Sequence, residues 1–158
     1  ASPTSLRGFE TPLQHKGVAN EPFNPLATAI SQDASFVARA FCQDQVQTKD
    51  ILMQAMQHKG FSVVDLFQPC VTFNKLNTYQ WFKQNTYYLE DSYEPYDREE
   101  AFKRSLEEEK FPLGVFYINS DKPTFEESPH IRNVCGIKPF ERRKGRKKKL
   151  KKLVESYK

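Results

Sequence analysis

Two short apolar stretches, separated by a segment with helical spacing, dominate the first half of the chain. Residues 35–41 and 61–67 are almost continuously apolar, which is typical of buried strands. Between them, apolar side chains recur at the spacing of one helix face: Ile51, Leu52, Ala55 and Met56. Thr48 is the predicted cap of this helix, and Gly60 is its predicted left-handed stop. A strand, a helix and a strand in this order predict a crossover between two parallel neighbouring strands.

Capping residues and apolar runs predict further elements on either side. Asn24 and Pro25 mark a helix start, because Asn caps free amides and Pro is tolerated at the first helical position. The aromatic-rich residues 78–88 are predicted to form a helix, and Asp97 is predicted to cap another. A third strand is expected over residues 113–118. The aromatic side chains around the first of these helices are interpreted as a surface for packing or for contact with another subunit: Tyr79, Trp81, Phe82, Tyr87 and Tyr88.

The pattern as a whole predicts an α/β fold with a mainly parallel sheet and helices on both faces. Strands that are apolar on both faces are typical of such covered sheets. We place this domain at residues 1–141 and treat residues 142–158 as a separate basic tail. The whole chain carries a net charge of +4 and the tail carries +9, from ten Lys or Arg residues against one Glu, so residues 1–141 carry −5.

The cysteines indicate a reducing compartment. Cys42, Cys70 and Cys135 form an odd set at wide spacings, which does not suit a disulfide framework. No apolar run approaches the roughly 20 residues of a membrane-spanning helix, and no secretory signal is recognisable. We therefore expect a cytoplasmic protein without a membrane span. Because the chain opens on Ala-Ser-Pro-Thr without an initiator Met, we also expect that a segment precedes it.

Cys70 occupies the position in the predicted sheet where chemistry is most expected. The strand over residues 61–67 runs directly into residues 68–74, and α/β sheets bind ligands beyond the carboxyl ends of their strands. A lone cysteine is nevertheless more often a small buried hydrophobe than a ligand. Position alone therefore leaves both interpretations open.

The segment around Cys70 is where a family resemblance appears. The sequence Gln68-Pro69-Cys70-Val71-Thr72-Phe73-Asn74 resembles a segment of the β subunits of 2-oxoacid:ferredoxin oxidoreductases. Further segments are similar to parts of the same subunits in the same order: residues 1–5, 24–25, 34–39, 111–117 and 122–127. The likeness covers roughly residues 1–130.

The resemblance implies three cofactors: thiamine diphosphate, Mg2+ and a [4Fe-4S] cluster. Cys70 matches the family cysteine that supplies the fourth cluster ligand, and Ser2, Pro3 and Thr4 match the end of the loop beside thiamine diphosphate. The other three cluster cysteines and the Gly-Asp-Gly motif for magnesium and diphosphate lie upstream in the family. The resemblance thus implies a thiamine-diphosphate-binding fold with its N-terminal part missing, unable to bind either cofactor properly alone.

The implied function is the oxidative decarboxylation of a 2-oxoacid to acyl-CoA and CO2, with electrons passing to ferredoxin. The implied partners are an α-type subunit of the same enzyme, ferredoxin, coenzyme A and the 2-oxoacid. The residues do not indicate which 2-oxoacid is used. The alternative from another class is a basic-tailed α/β module that binds nucleic acid without enzymatic activity.

The basic tail admits three interpretations. A solvated, disordered tail is the simplest, a docking site for ferredoxin is the second, and a contact with nucleic acid or a membrane surface is the third. Leu150, Leu153 and Val154 lie at helical spacing, so the tail can also form a basic amphipathic helix.

Overall fold

The computed structural model describes residues 2–128, 136–137 and 146–157. The chain forms two compact units, Ala1–Lys122 and Pro123–Lys158. The predicted boundary between residues 141 and 142 lies outside the described residues and stays a prediction. The described helices and strands, in chain order, are α1 (Pro25–Ser31), β1 (Phe36–Phe41), α2 (Gln45–Gln57), β2 (Ser62–Phe67), α3 (Tyr79–Asn85), β3 (Thr86–Tyr88), α4 (Arg98–Ser105), β4 (Phe111–Ile118) and α5 (Arg146–Glu155).

The sheet of the first unit has four strands in the order β2-β1-β4-β3. β1 and β2 are parallel neighbours joined through α2, so the predicted crossover is confirmed. β3 and β4 are also parallel, whereas β1 and β4 are antiparallel. Two of the three pairings are therefore parallel, as predicted for the sheet as a whole. The antiparallel pairing in its centre was not predicted.

Helices cover both faces of the sheet, which confirms the predicted α/β architecture. On one face α1 and α4 pack against β1 and β4, with Leu26, Val37, Ala101 and Phe116 buried at the contact. The opposite face carries α2, and the buried side chains there are Phe36, Ala38, Ala40 and Ile51. Because successive side chains of a strand point to opposite faces, β1 is buried along its whole length.

The predicted ends of α2 are wrong. Asp44 caps the helix by accepting a hydrogen bond from the Gln47 N–H at 3.0 Å, because the chain turns directly after β1. Thr48 lies inside the helix, where its hydroxyl donates to the Phe41 carbonyl at 3.0 Å. The helix ends at Gln57, so Gly60 is not its left-handed stop. Gly60 has φ +151°, and a Cβ there would lie 2.2 Å from the Ser35 hydroxyl oxygen.

The predicted apolar stripe of α2 is only partly buried. Ile51 is buried and Ala55 packs beside it, but Leu52 and Met56 are 40% and 77% exposed. The reason is that α2 covers β1 and the edge strand β2, and no strand beyond β2 covers the outer side of the helix in the described sheet.

Two other boundaries differ from the prediction because strand pairing extends the sheet. The helix predicted over residues 78–88 ends at Asn85, and Thr86–Tyr88 form β3 instead. The strand predicted over residues 113–118 begins at Phe111 and includes Pro112, which lies opposite Tyr87. The predicted caps Asn24 and Asp97 are confirmed.

A buried ion pair lies inside the sheet. Arg39 of β1 donates from Nε to Asp65 Oδ2 of β2 at 2.9 Å, and the two side chains are 5% and 19% exposed. The guanidinium carbon lies 4.7 Å from the ring centroid of Phe67, with Phe111 at 5.6 Å and Phe116 at 5.7 Å. Burial lowers the pKa of Arg39, and the Asp65 charge opposes that shift. A buried charge of this kind depends on its partner.

Replacing Arg39 by Ala should lower the free energy of unfolding by about 3–5 kcal/mol, because Asp65 would be left as an unpaired buried charge. The double variant Arg39→Met, Asp65→Leu should lose much less. Arg7→Ala is the control: it removes an exposed pair with Glu21 and should cost about 0–1 kcal/mol. Urea denaturation followed by circular dichroism measures all three, and equal losses for Arg39→Ala and Arg7→Ala would contradict the assignment.

Stability should also fall in acid through Asp44. The Tyr88 hydroxyl, which donates to this carboxylate at 2.5 Å, and then the Gln47 N–H lower the pKa of Asp44. A carboxyl group with a lowered folded pKa stabilises the protein above its unfolded pKa of about 3.9, and this stability is lost as pH falls through the folded value. Asp44→Asn keeps the cap but does not titrate, so its unfolding free energy should change less between about pH 5 and pH 2. The exposed Asp91→Asn is the control, and parallel pH profiles for Asp44→Asn and the unsubstituted chain would disprove this role.

Candidate functional site

Cys70 lies in a loop at the carboxyl end of β2. The strand ends at Phe67, Pro69 is buried, and Cys70 is exposed. The predicted location beyond the strand is therefore confirmed. The alternative of a small buried hydrophobe is wrong, because the neighbouring proline, not the cysteine, fills the space beneath the loop.

Asn74 organises this loop. Its backbone N–H donates to the Cys70 carbonyl at 3.0 Å, and its side-chain oxygen accepts from the N–H groups of Leu76 and Asn77 at 2.9 Å each. The ammonium group of Lys75 donates to the Val71 carbonyl. Sequence reasoning missed this role of Asn74. The signal that could have found it is the ability of an Asn side chain to bind the backbone two or three residues further on.

Backbone amides of the loop stabilise the thiolate of Cys70. The Phe73 N–H, followed by the Thr72 N–H, hydrogen-bonds to the sulfur and lowers the pKa of the thiol. The Asn74 N–H and the positive charge of Lys75 act in the same direction, and desolvation opposes them. An accessible sulfur with a lowered pKa is the form of cysteine that binds metals and reacts as a nucleophile.

An aromatic cluster supports the loop from below. The ring centroid of Phe82 on α3 lies 4.8 Å from that of Phe67 and 5.6 Å from that of Phe41. Trp81 contacts both Phe82 and Phe111, at 5.0 and 6.0 Å between centroids. The packing role predicted for Trp81 and Phe82 is confirmed. Because Phe67 is the last residue of β2, this cluster holds the strand end from which the loop departs.

Cys42 takes a different position from Cys70. Both thiols are free, but Cys42 is half-buried at the end of β1. Its backbone N–H donates to the Phe67 carbonyl at 3.1 Å, and its thiol lies against Tyr79, where its charge and its hydrogen bond raise the pKa of the tyrosine. These contacts suit the packing role predicted for Cys42. The third cysteine, Cys135, lies outside the described residues.

Ser2, Pro3 and Thr4 form an exposed turn in the N-terminal segment. The Ser5 N–H donates to the Ser2 carbonyl at 3.0 Å, and the hydroxyls of Ser2 and Thr4 lie 3.0 Å apart. The Pro3 carbonyl accepts from the Phe23 N–H at 2.8 Å, which ties this turn to the start of α1.

A cleft of about 370 Å³ separates the N-terminal segment from the Cys70 loop. It is lined by residues of both segments: Gly8, Phe9, Glu10, Phe73, Lys75 and Leu76. The structure thus brings the two predicted site segments to either side of one cleft, although Ser2, Pro3 and Thr4 do not line it.

The metal-binding capacity of the described residues is limited. Among them, no group of three or more His, Cys, Asp or Glu side chains could hold a metal ion. An iron-sulfur cubane needs four thiolates, and Cys70 fits the role of one of them because its sulfur is exposed and receives N–H donors. The described residues do not fit a complete site for Mg2+.

The lowered pKa should make Cys70 unusually reactive. In a chain carrying Cys42→Ser and Cys135→Ser, the rate of alkylation by iodoacetamide should rise with pH around a midpoint below the ordinary thiol value of about 8.5. Adding Asn74→Ala should move the midpoint back toward that value, because the loop amides would no longer be held at the sulfur. The two pH–rate profiles decide: coincident curves would show that the loop does not stabilise the thiolate.

Comparison with known proteins extends the analysis beyond the single chain. Residues 70–132 match the family of the C-terminal region of the pyruvate ferredoxin oxidoreductase β chain, so the matched segment begins at Cys70. A 2-oxoacid:ferredoxin oxidoreductase β subunit from Aeropyrum pernix is 36% identical and covers 92% of this chain. Another, from Sulfolobus sp, is 33% identical and covers 80%. The chain spans about half the length of these relatives, 52% and 46% respectively.

A solved structure agrees with the sequence matches. It is a 2-oxoglutarate:ferredoxin oxidoreductase from Magnetococcus marinus with 2-oxoglutarate, coenzyme A and succinyl-CoA bound. It is 28% identical, matches with a TM-score of 0.78, and covers 85% of this chain and 47% of its own. These matches give no support to the alternative of a nucleic-acid-binding module. The predicted resemblance is confirmed: over most of its length, the chain is similar in sequence and fold to the β subunits of 2-oxoacid:ferredoxin oxidoreductases.

Proposed function

We propose that this chain acts as part of the β subunit of an enzyme that oxidatively decarboxylates a 2-oxoacid to acyl-CoA and CO2 and passes the electrons to ferredoxin. The observation that carries the proposal is the 36% identity to the Aeropyrum pernix β subunit over 92% of the chain. The TM-score of 0.78 to the Magnetococcus marinus enzyme supports it independently.

Within this enzyme, Cys70 would supply one thiolate ligand of a [4Fe-4S] cluster. When bound, such a cluster accepts and releases single electrons. The N–H groups of Phe73 and Thr72 would draw negative charge from the ligand sulfur, and hydrogen bonds of this kind tune the cluster potential. The role of Asn74 would be to keep these amides in place, since its side chain holds the loop closed.

The remaining cofactors would be held largely by other parts of the enzyme. The described residues lack an acidic cluster for Mg2+, so the thiamine diphosphate site needs ligands from elsewhere. We propose that Ser2, Pro3 and Thr4 border that site through their exposed turn. An α-type subunit, coenzyme A and the 2-oxoacid complete the proposed assembly, with pyruvate and 2-oxoglutarate as the first substrates to test.

The proposed compartment is the cytoplasm. It rests on Cys42 and Cys70, which are free thiols, because disulfides are rare where the thiol pool is reduced. As a separate finding, none of the helices in the described ranges has the length and apolar character needed to cross a membrane.

The test is an anaerobic assay of the complete enzyme, including its other subunits, with coenzyme A and each 2-oxoacid in turn. Reduction of a viologen dye or ferredoxin should need a 2-oxoacid, and Cys70→Ser should abolish it together with the visible absorption of the cluster. Cys42→Ser is the matched control and should keep both, because Cys42 packs against Tyr79.

Two results would count against the proposal. A complete, folded enzyme that oxidises no 2-oxoacid would refute the activity itself. Full iron content and activity in Cys70→Ser would refute the ligand role of Cys70 while leaving the activity in place.

A further inference from the structure

Helix α5 carries an apolar stripe that nothing in the described part of the chain covers. Leu150, Leu153 and Val154 repeat at the spacing of one helix face and are 59%, 54% and 53% exposed. Tyr157, in the turn that ends the helix, is 85% exposed. Four exposed apolar or aromatic side chains within eight residues indicate a surface that is buried against something else.

The remainder of the helix surface is strongly basic. Lys148, Lys149, Lys151 and Lys152 are exposed, and Glu155 is the single acidic residue of the helix. At 3.6 residues per turn, Lys149 and Lys151 border the apolar stripe on its two sides, and Lys148 and Lys152 lie opposite it. None of the ion pairs between described residues uses any of these four lysines.

We propose that α5 docks on the surface of a lipid bilayer that contains anionic lipids. A basic amphipathic helix of this kind lies in the interface, with its apolar side chains below the headgroups and its lysines extending up to them. The amphipathic ring of Tyr157 suits the same depth. The inference does not rest on the proposed enzymatic function.

The chemistry of the helix favours this occupant over nucleic acid or an acidic protein. Nucleic acid would satisfy the lysines through its phosphates but would leave Leu150, Leu153 and Val154 in water. Recognition of carboxylates or phosphates in a fixed geometry relies on arginine, whereas this helix has five lysines and one arginine. Lysine is a flexible point charge, which suits a fluid surface without fixed partner positions.

The division of charge along the chain confines the contact to the tail. Residues 142–158 carry +9 and residues 1–141 carry −5, so an anionic surface attracts the first segment and repels the second. Surface attraction is screened within about 8 Å at physiological salt, so charge alone holds the helix weakly. The apolar stripe supplies the second signal that stable membrane association requires.

The test is flotation of the full 158-residue chain with vesicles of phosphatidylcholine, with and without phosphatidylserine. Binding should need phosphatidylserine and weaken as salt is raised. Leu150→Gln with Leu153→Gln keeps the charge and should weaken binding by about tenfold or more. The matched control is Val46→Gln with Met56→Gln on α2, which removes two apolar side chains of similar exposure, 82% and 77%, and should change nothing.

A second variant keeps the proposal falsifiable if the leucine substitutions weaken the helix itself. Lys148→Gln with Lys152→Gln leaves the apolar stripe intact and should also weaken binding to the mixed vesicles. Failure of the unsubstituted chain to float with phosphatidylserine vesicles would overturn the proposal. So would unchanged flotation of both variants, or binding to duplex DNA without binding to vesicles.

Discussion

The buried ion pair between Arg39 and Asp65 is the constraint on which the geometry of the sheet depends. The two residues face each other across the parallel pair β1 and β2, in the register that also aligns Phe41 with Phe67. A slip of one residue would turn Asp65 to the opposite face of the sheet and leave Arg39 buried without its carboxylate. The ion pair therefore opposes any other register, in addition to the apolar packing around it.

This register also determines where the candidate site lies. Phe67 contacts the Arg39 guanidinium, Phe82 and Phe111, so the last residue of β2 is held from three directions. The loop that carries Cys70 leaves from this residue, and Thr78 caps the helix at its far end. A loop anchored by a packed strand and a capped helix can hold its sulfur and amides in a fixed arrangement, which a metal ligand requires.

The two units differ in how they use charge. In the first unit the central charges are paired and buried, and they contribute to a unique fold. In the second unit, the described lysines of α5 point into solvent beside an exposed apolar stripe. The first arrangement is complete within the chain, whereas the second is satisfied only by a partner outside it. Amphipathic patterning is thus a structural feature in one unit and an interaction surface in the other.

The sequence by itself determined the features that depend on near neighbours. Asn24, Thr78 and Asp97 act on amides two or three residues away, so their effect can be predicted from the local pattern. The same holds for the crossover from β1 to β2, where the apolar runs and the helix between them left a single topology. The position of Cys70 followed from that crossover, and its family resemblance came from the residues around it.

Tertiary structure decided what depends on residues far apart in the chain. The antiparallel insertion of β4 between β1 and β3, and the conversion of Thr86–Tyr88 from predicted helix to strand, arise from pairing with residues that local spacing does not identify. Arg39 and Asp65 each stood out as a charge within an apolar run, but only the register of two strands brought them together. Likewise, the sequence placed a cysteine beyond a strand, and only the folded loop directed the Phe73 and Thr72 amides at its sulfur. Contacts of this kind require the whole sheet to form first, which is why the spacing of residues along the chain cannot predict them.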